Sequence, residues 1–248
     1  MSSWTVPPDL TNAYAALAAD LRALFGTRLT TLVAFGPRLR SGAAISRSHG
    51  VALGDALCLI DRVTYNDLVA CAPYADGWRR SGLHMPLLLG RDEFVRSLDA
   101  FPLEYDDIIA NHVPLLGQDP FAGIAVSPED LRRGCEVRAK GHLVHLREGF
   151  LEARGRAEGL AELILVSSWA LSALLGNIAR LEGFPGASVA DRAAVLARLD
   201  RAAAASIARV LALEAEPVLS ADEASRLYPE YLAAVERLVA YVDGWTRR

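Results

Sequence analysis

At Ser127 the character of this sequence changes, and that change limits the fold more than any other feature. Beyond it, apolar residues recur at helical spacing through long segments, interrupted only around Gly183, Pro185, Gly186 and Pro217. Before it, the apolar runs are short, rich in β-formers, and separated by glycine and proline. Ser127-Pro128-Glu129-Asp130 is itself a helix start, with a capping serine, proline at the first helical position and acids in the first turn. This division predicts an α+β fold: a small mixed-sheet domain over residues 1–125, then an all-helical up-and-down bundle over residues 126–248.

In the first part, Leu10, Tyr14, Leu17, Leu21 and Leu24 predict a helix over 9–25, ended by Gly26. Residues 29–35 predict a strand buried on both faces, and 56–60 a second strand. A helix over 65–80, a strand over 84–89 and a short helix over 91–98 follow. Segment 101–107 predicts a strand or turn. Segment 113–123, with Pro114, Gly117, Pro120 and Gly123, predicts an irregular connection. In the second part, helices are expected over 127–154, 158–181, 188–213 and 220–245. The last opens on a capping box, Ser220-Ala221-Asp222-Glu223.

Composition narrows the function classes. A formal charge of −4 and a pI near 5.8 point away from general nucleic-acid binding. Cys58, Cys71 and Cys135 are odd in number and lack CxxC spacing, which supports neither a disulfide framework nor a zinc site. The expectation is a reduced, cytoplasmic protein without a cofactor. Trp4-Thr5-Val6-Pro7-Pro8 leads into a helix rather than a signal peptide. The apolar run 160–175 is interrupted by Glu162, Ser167, Ser168 and Ser172, so it reads as a buried bundle helix and not a membrane span.

Between the first two strands lies a loop, residues 36–54, carrying Gly36, Gly42, Gly50 and Gly54 with Arg38, Arg40, Arg47 and His49. The order strand, glycine-bearing loop, strand with an acid at its start resembles the core of the polymerase-β-like nucleotidyltransferases. In that family a Gly-Ser pair holds a nucleotide triphosphate and an Asp-x-Asp holds two metal ions. This chain reads Gly36-Pro37 at the first place and Asp55-Ala56-Leu57 at the second. Residues i and i+2 of a strand face one side about 7 Å apart, the geometry a two-metal clamp needs. Leu57 cannot ligate a cation. Asp61 has the right parity but lies roughly 20 Å along an extended strand. The neighbouring segment 84–89, His-Met-Pro-Leu-Leu-Leu, holds no acid.

The resemblance therefore implies the scaffold without the paired carboxylates. Gly36, Arg38, Arg40 and Asp55 are the candidate nucleotide-binding residues, with arginines to pair with phosphate oxygens and glycines to let backbone approach. Pro37 has no N–H to donate. The competing reading of the loop is a solvated, arginine-bearing segment.

Residues 100–150 resemble a stretch of bacterial nucleotidyltransferase-domain proteins that brings no assigned chemistry. They run from Phe101-Pro102-Leu103-Glu104-Tyr105-Asp106-Asp107, through His112 and Gly117-Gln118-Asp119-Pro120, to Arg138 and Leu146-Arg147. Glu104, Asp106, Asp107 and His112 form a metal site if the backbone gathers them, and a capped turn with solvated acids if it does not. Arg138, His142 and His145 fall near one helical face, flanked by Arg132–Glu136 and Glu136–Lys140 pairs. His142 and His145 could share a metal. Arg138 and His145 also match the loose Arg-x(4–6)-His pattern of HEPN ribonucleases. Gly134, Gly141 and Gly149 offer close approach to another helix. Trp169, Trp245, Tyr228, Tyr231 and Tyr241 read as bundle core or rim, and Asn177 needs a partner if buried.

The leading expectation is a non-catalytic protein of nucleotidyltransferase-like fold that binds a nucleotide-like or other phosphate-bearing ligand, or a partner protein. The cleft between loop and bundle is its expected seat, and a homodimer is the expected assembly. Two alternatives accompany it: an active nucleotidyltransferase modifying a small molecule, as the aminoglycoside nucleotidyltransferases do, and a HEPN-type ribonuclease or toxin–antitoxin component.

Overall fold

The structure is a computed structural model that describes residues 4–39, 53–116, 119–186 and 188–246. The chain divides into two compact units, Met1–Val126 and Ser127–Arg248. A four-stranded mixed sheet belongs to the first, and only helices are found among the described residues of the second, so the architecture is α+β.

In the first unit, helix α1 (Thr11–Phe25) follows a short 3-10 turn, Pro8–Leu10, and buries Tyr14, Leu17, Leu21 and Phe25 on one stripe. The sheet contains β1 (Leu29–Phe35), β2 (Asp55–Ile60), β3 (Leu87–Gly90) and β4 (His112–Leu116), in the order β3-β2-β1-β4. β1 runs antiparallel to both β2 and β4, and β2 runs parallel to β3. Thr31 to Ala34 are buried, as expected for a strand covered on both faces. Leu32, Ala34, Ala56, Cys58 and Ile60 form one core with α1 and Trp78. The expected helix over 65–80 is two short helices, α2 (Tyr65–Cys71) and α3 (Ala75–Arg80), joined through the 3-10 turn at Pro73. Next comes α4 (Arg91–Arg96).

Two expectations are corrected here. Segment 101–107 is neither strand nor turn but the start of α5 (Pro102–Ala110). Pro102 takes the first helical position, where its missing N–H costs nothing, and Tyr105 and Ile108 bury one turn apart. The beginning of segment 113–123 is not an irregular connection but β4. Pro114 is tolerated because β4 lies at the sheet edge.

In the second unit, α6 (Pro128–Glu152), α7 (Ala157–Leu181) and α10 (Ala221–Asp243) pack against one another. Ser127 caps α6 by accepting from Asp130 N–H, and Ser220 and Glu223 cap α10 reciprocally. The expected continuous helix over 188–213 is two helices, α8 (Val189–Leu196) and α9 (Arg201–Ala212). Asp200 breaks the run by accepting from the N–H groups of Ala202 and Ala203. Among the described residues α7 is the helix long and apolar enough to cross a membrane by length and composition. In this fold it lies against α6, α8, α9 and α10. Gly149 provides the close approach anticipated for the α6 glycines: a Cβ there would sit 2.5 Å from Leu163 Cδ1, whereas at Gly141 it would meet open space.

Candidate functional site

The site grows out of the end of the β1–β2 ladder, where Phe35 stands opposite Asp55. The chain leaves β1 through Gly36 at φ +89°, a conformation that disfavours any side chain. A Cβ on Gly36 would lie 2.5 Å from Asp55 Oδ2, so the missing side chain lets the carboxylate fold against the backbone. Gly54 serves a second approach, since a Cβ there would meet Tyr14 Oη at 2.5 Å. Tyr14 donates its hydroxyl to the Asp55 carbonyl at 2.9 Å. Burial, and then the charge of Asp55, push the Tyr14 phenol well above its ordinary range, with Arg38 opposing. Two of the loop's glycines are thus used for packing protein against protein.

Asp55 has a partner that sequence reading missed. His84 Nδ1 lies 2.8 Å from Asp55 Oδ1. A carboxylate only accepts, so Nδ1 carries a proton in this contact, on a ring whose side chain is 56% exposed. Backbone bonds hold the pair in register: Gly54 N–H donates to Gly82 O, and His84 N–H to Gly54 O. The signal was present in the sequence. Segment 84–89 holds no acid, and its only ionisable residue is this histidine.

The remaining candidates fall out differently. Leu57, at the second place of the Asp-x-Asp, is fully buried. Arg38 turns inward to pair with Asp9, its side chain only 6% exposed. Arg38 Nε has no hydrogen-bond partner among the described residues. Gly36, Arg38 and Asp55 therefore gather at one end of β1 and β2, while Arg40, Gly42, Arg47, His49 and Gly50 lie outside the described residues. Asp61 is held by Arg28 at the opposite end of β2, with Nε to Oδ1 at 2.9 Å. Arg28 also grips Asp67 at 2.7 Å, which holds the Asp67 carboxyl well below the usual carboxylate range.

Among the described residues, no group of three or more His, Cys, Asp or Glu side chains is placed to hold a metal ion. Glu104, Asp106, Asp107 and His112 are not gathered into one. His112 Nε2 faces Asp119 at 3.3 Å, and Asp107 accepts from Asn111.

On α6 the two histidines part company. His142 is buried, and its Nε2 lies 2.7 Å from Tyr231 Oη, which in turn contacts Ser167 Oγ at 3.2 Å. Burial pushes the His142 imidazole down to about 4, with His145 adding to the effect. The His145 side chain is 81% exposed and faces Glu148. One imidazole is buried beside Tyr231 and the other exposed beside Glu148, and among the described residues neither joins a group of three placed to hold a metal ion. Arg138 is exposed on the same helix. The anticipated Arg132–Glu136 and Lys140–Glu136 pairs form, and Lys140 before Arg132 holds the Glu136 carboxyl down to about 2. Asn177 finds its partner in Arg180 Nη2, which donates at 2.6 Å.

No protein-family model matches the chain, and no curated protein matches it either.

Proposed function

We propose that this chain is a non-catalytic protein of nucleotidyltransferase-like fold that binds a nucleotide-like, phosphate-bearing ligand. One observation carries the reading. The carboxylate in the position of a metal-clamping pair stands alone, oriented by His84, and its partner position is a buried leucine. Two-metal transfer needs acids converging on a pair of ions, so that attacking and leaving oxygens are clamped together. A lone carboxylate already hydrogen-bonded to an imidazole supports no such clamp. What the scaffold keeps is a mixed sheet with a glycine turn at the end of β1 and an exposed imidazole on His84. With Arg38 turned toward Asp9, phosphate recognition falls to other cations of the chain.

The test is a calorimetric titration of ATP and GTP into the full chain in EDTA. Saturable binding without metal is the expected result. Absence of binding would contradict the ligand half of the reading and direct attention to a protein partner.

A further inference from the structure

Helix α10 carries a proline in its interior, Pro229. Proline brings no N–H, so the carbonyl four residues back, that of Ser225, is left without its helical donor. Ser225 and Pro229 lie on one face of α10, and both line an open cavity of about 590 Å³. The other walls come from the last turns of α6, the turn that follows it and the first turn of α7. Ligand pockets commonly span roughly 300–1,000 Å³, so the volume suits a small molecule.

The rest of the wall is mostly apolar and already formed. Phe150 and Tyr228 stack with ring centroids 5.1 Å apart and planes at 25°. The turn after α6 passes close to the Phe150 ring. Gly155, at φ +65°, closes its N–H on the Phe150 carbonyl, and a Cβ there would lie 3.2 Å from Phe150 Cζ. Leu160 is buried in the wall, and Leu151 lines the cavity while 73% exposed, which places it at the mouth. The polar groups other than the carbonyl are engaged elsewhere. Tyr228 donates its hydroxyl to the Leu146 carbonyl at 2.8 Å. Arg147, the charged residue among the described lining residues, pairs with Glu236 at 2.7 Å. A wall of this kind suits an uncharged ligand with a flat apolar body and a hydrogen-bond donor.

We propose that this cavity binds an uncharged aromatic molecule of one or two rings, whose hydroxyl or ring N–H donates to the Ser225 carbonyl. The site is separate from the nucleotide-like ligand proposed above, and its test does not involve that ligand.

The experiment titrates indole into the full chain by calorimetry, with 1-methylindole as the near-isostere that lacks a donor. Indole should bind saturably and about three- to tenfold more tightly than 1-methylindole. Pro229→Ala supplies the missing N–H to the Ser225 carbonyl, so the two probes should then bind alike. Leu151→Glu should weaken both probes by at least about tenfold, with an unchanged melting temperature because Leu151 is exposed. If that variant melts early, Leu151→Gln takes its place. A wild type that binds no indole at millimolar concentration overturns the site, and so does binding that the Leu151 variant leaves intact. Equal affinity for the two probes in the wild type, or a preference for indole that survives Pro229→Ala, overturns the role of the carbonyl. A wild-type dimer in sedimentation that Leu151→Glu dissociates would assign the cavity to a second copy of the chain and overturn the small-molecule reading.

Discussion

Lowering the pH should destabilise this protein through one buried histidine. His142 sits in the core of the helical unit against Tyr231, which in turn contacts Ser167, with His145 three residues further on adding to the effect. Its imidazole is pushed from 6.5 to about 4 in the folded chain, chiefly by burial. The unfolded chain therefore binds a proton between pH 6.5 and 4 that the folded chain refuses. Stability from this residue is fully present above pH 6.5 and falls as the pH drops toward 4. Each pH unit across that window costs about 1.4 kcal/mol, and the whole shift amounts to about 3 kcal/mol. Against a typical domain stability of roughly 5–15 kcal/mol, a loss of that size is easily measured. Urea melts of wild type and His142→Gln at pH 7, 6, 5 and 4 isolate the effect, because carboxylates titrate alike in both. The glutamine amide reaches toward Tyr231 without taking up a proton. The difference in stability between the two proteins should shift toward the variant by about 3 kcal/mol over that range. Parallel curves would refute the assignment of His142 as a buried neutral imidazole.

Three further outcomes follow from the packing. Gly36→Ala should cost about 2 kcal/mol or more, since it strains a positive φ and drives a methyl into the Asp55 carboxylate; thermal melts would show it. Gly149→Val should cost about 1–3 kcal/mol by pushing Leu163 off α6. Gly141→Ala, in open space on the same helix, should instead stabilise by about 0.5–1 kcal/mol, and paired chemical denaturation curves would separate the two. Titrating Mn²⁺ into the full chain and watching its electron paramagnetic resonance signal should give no high-affinity site, with or without Asp55→Asn, because a single oriented carboxylate forms no clamp.

Much of the fold was legible because it depends on local chemistry. Ser127 and Ser220 announce their helices by capping, and β1 and β2 declare themselves by apolar, β-prone runs. The misreadings share a cause: residues that break structure in most settings are harmless in particular places. Pro102 starts a helix and Pro114 lies on an edge strand, facts settled by tertiary neighbours. The split between α8 and α9 was hidden because alanine-rich sequence continues past Asp200, and only its capping bonds mark the break.

At the site, the lone Asp55 and the apolar Leu57 could be read directly. The pairing of Arg38 with Asp9, 29 residues away, and of Asp55 with His84, also 29 residues apart, could not. On α6, three residues advance the helix by about 300°, not a full turn, which is enough to send His142 inward and leave His145 in water.

The central claim is that Asp55 orients an imidazole and does not ligate a catalytic cation. Its most direct test is the affinity for ATP measured by calorimetry in magnesium and in EDTA, for the wild type and for Asp55→Asn. The account predicts dissociation constants that agree within about threefold across all four measurements, since removing a carboxylate that holds no cation changes little. An affinity at least about tenfold tighter in magnesium, and lost in Asp55→Asn, would contradict it and restore Asp55 as a metal ligand.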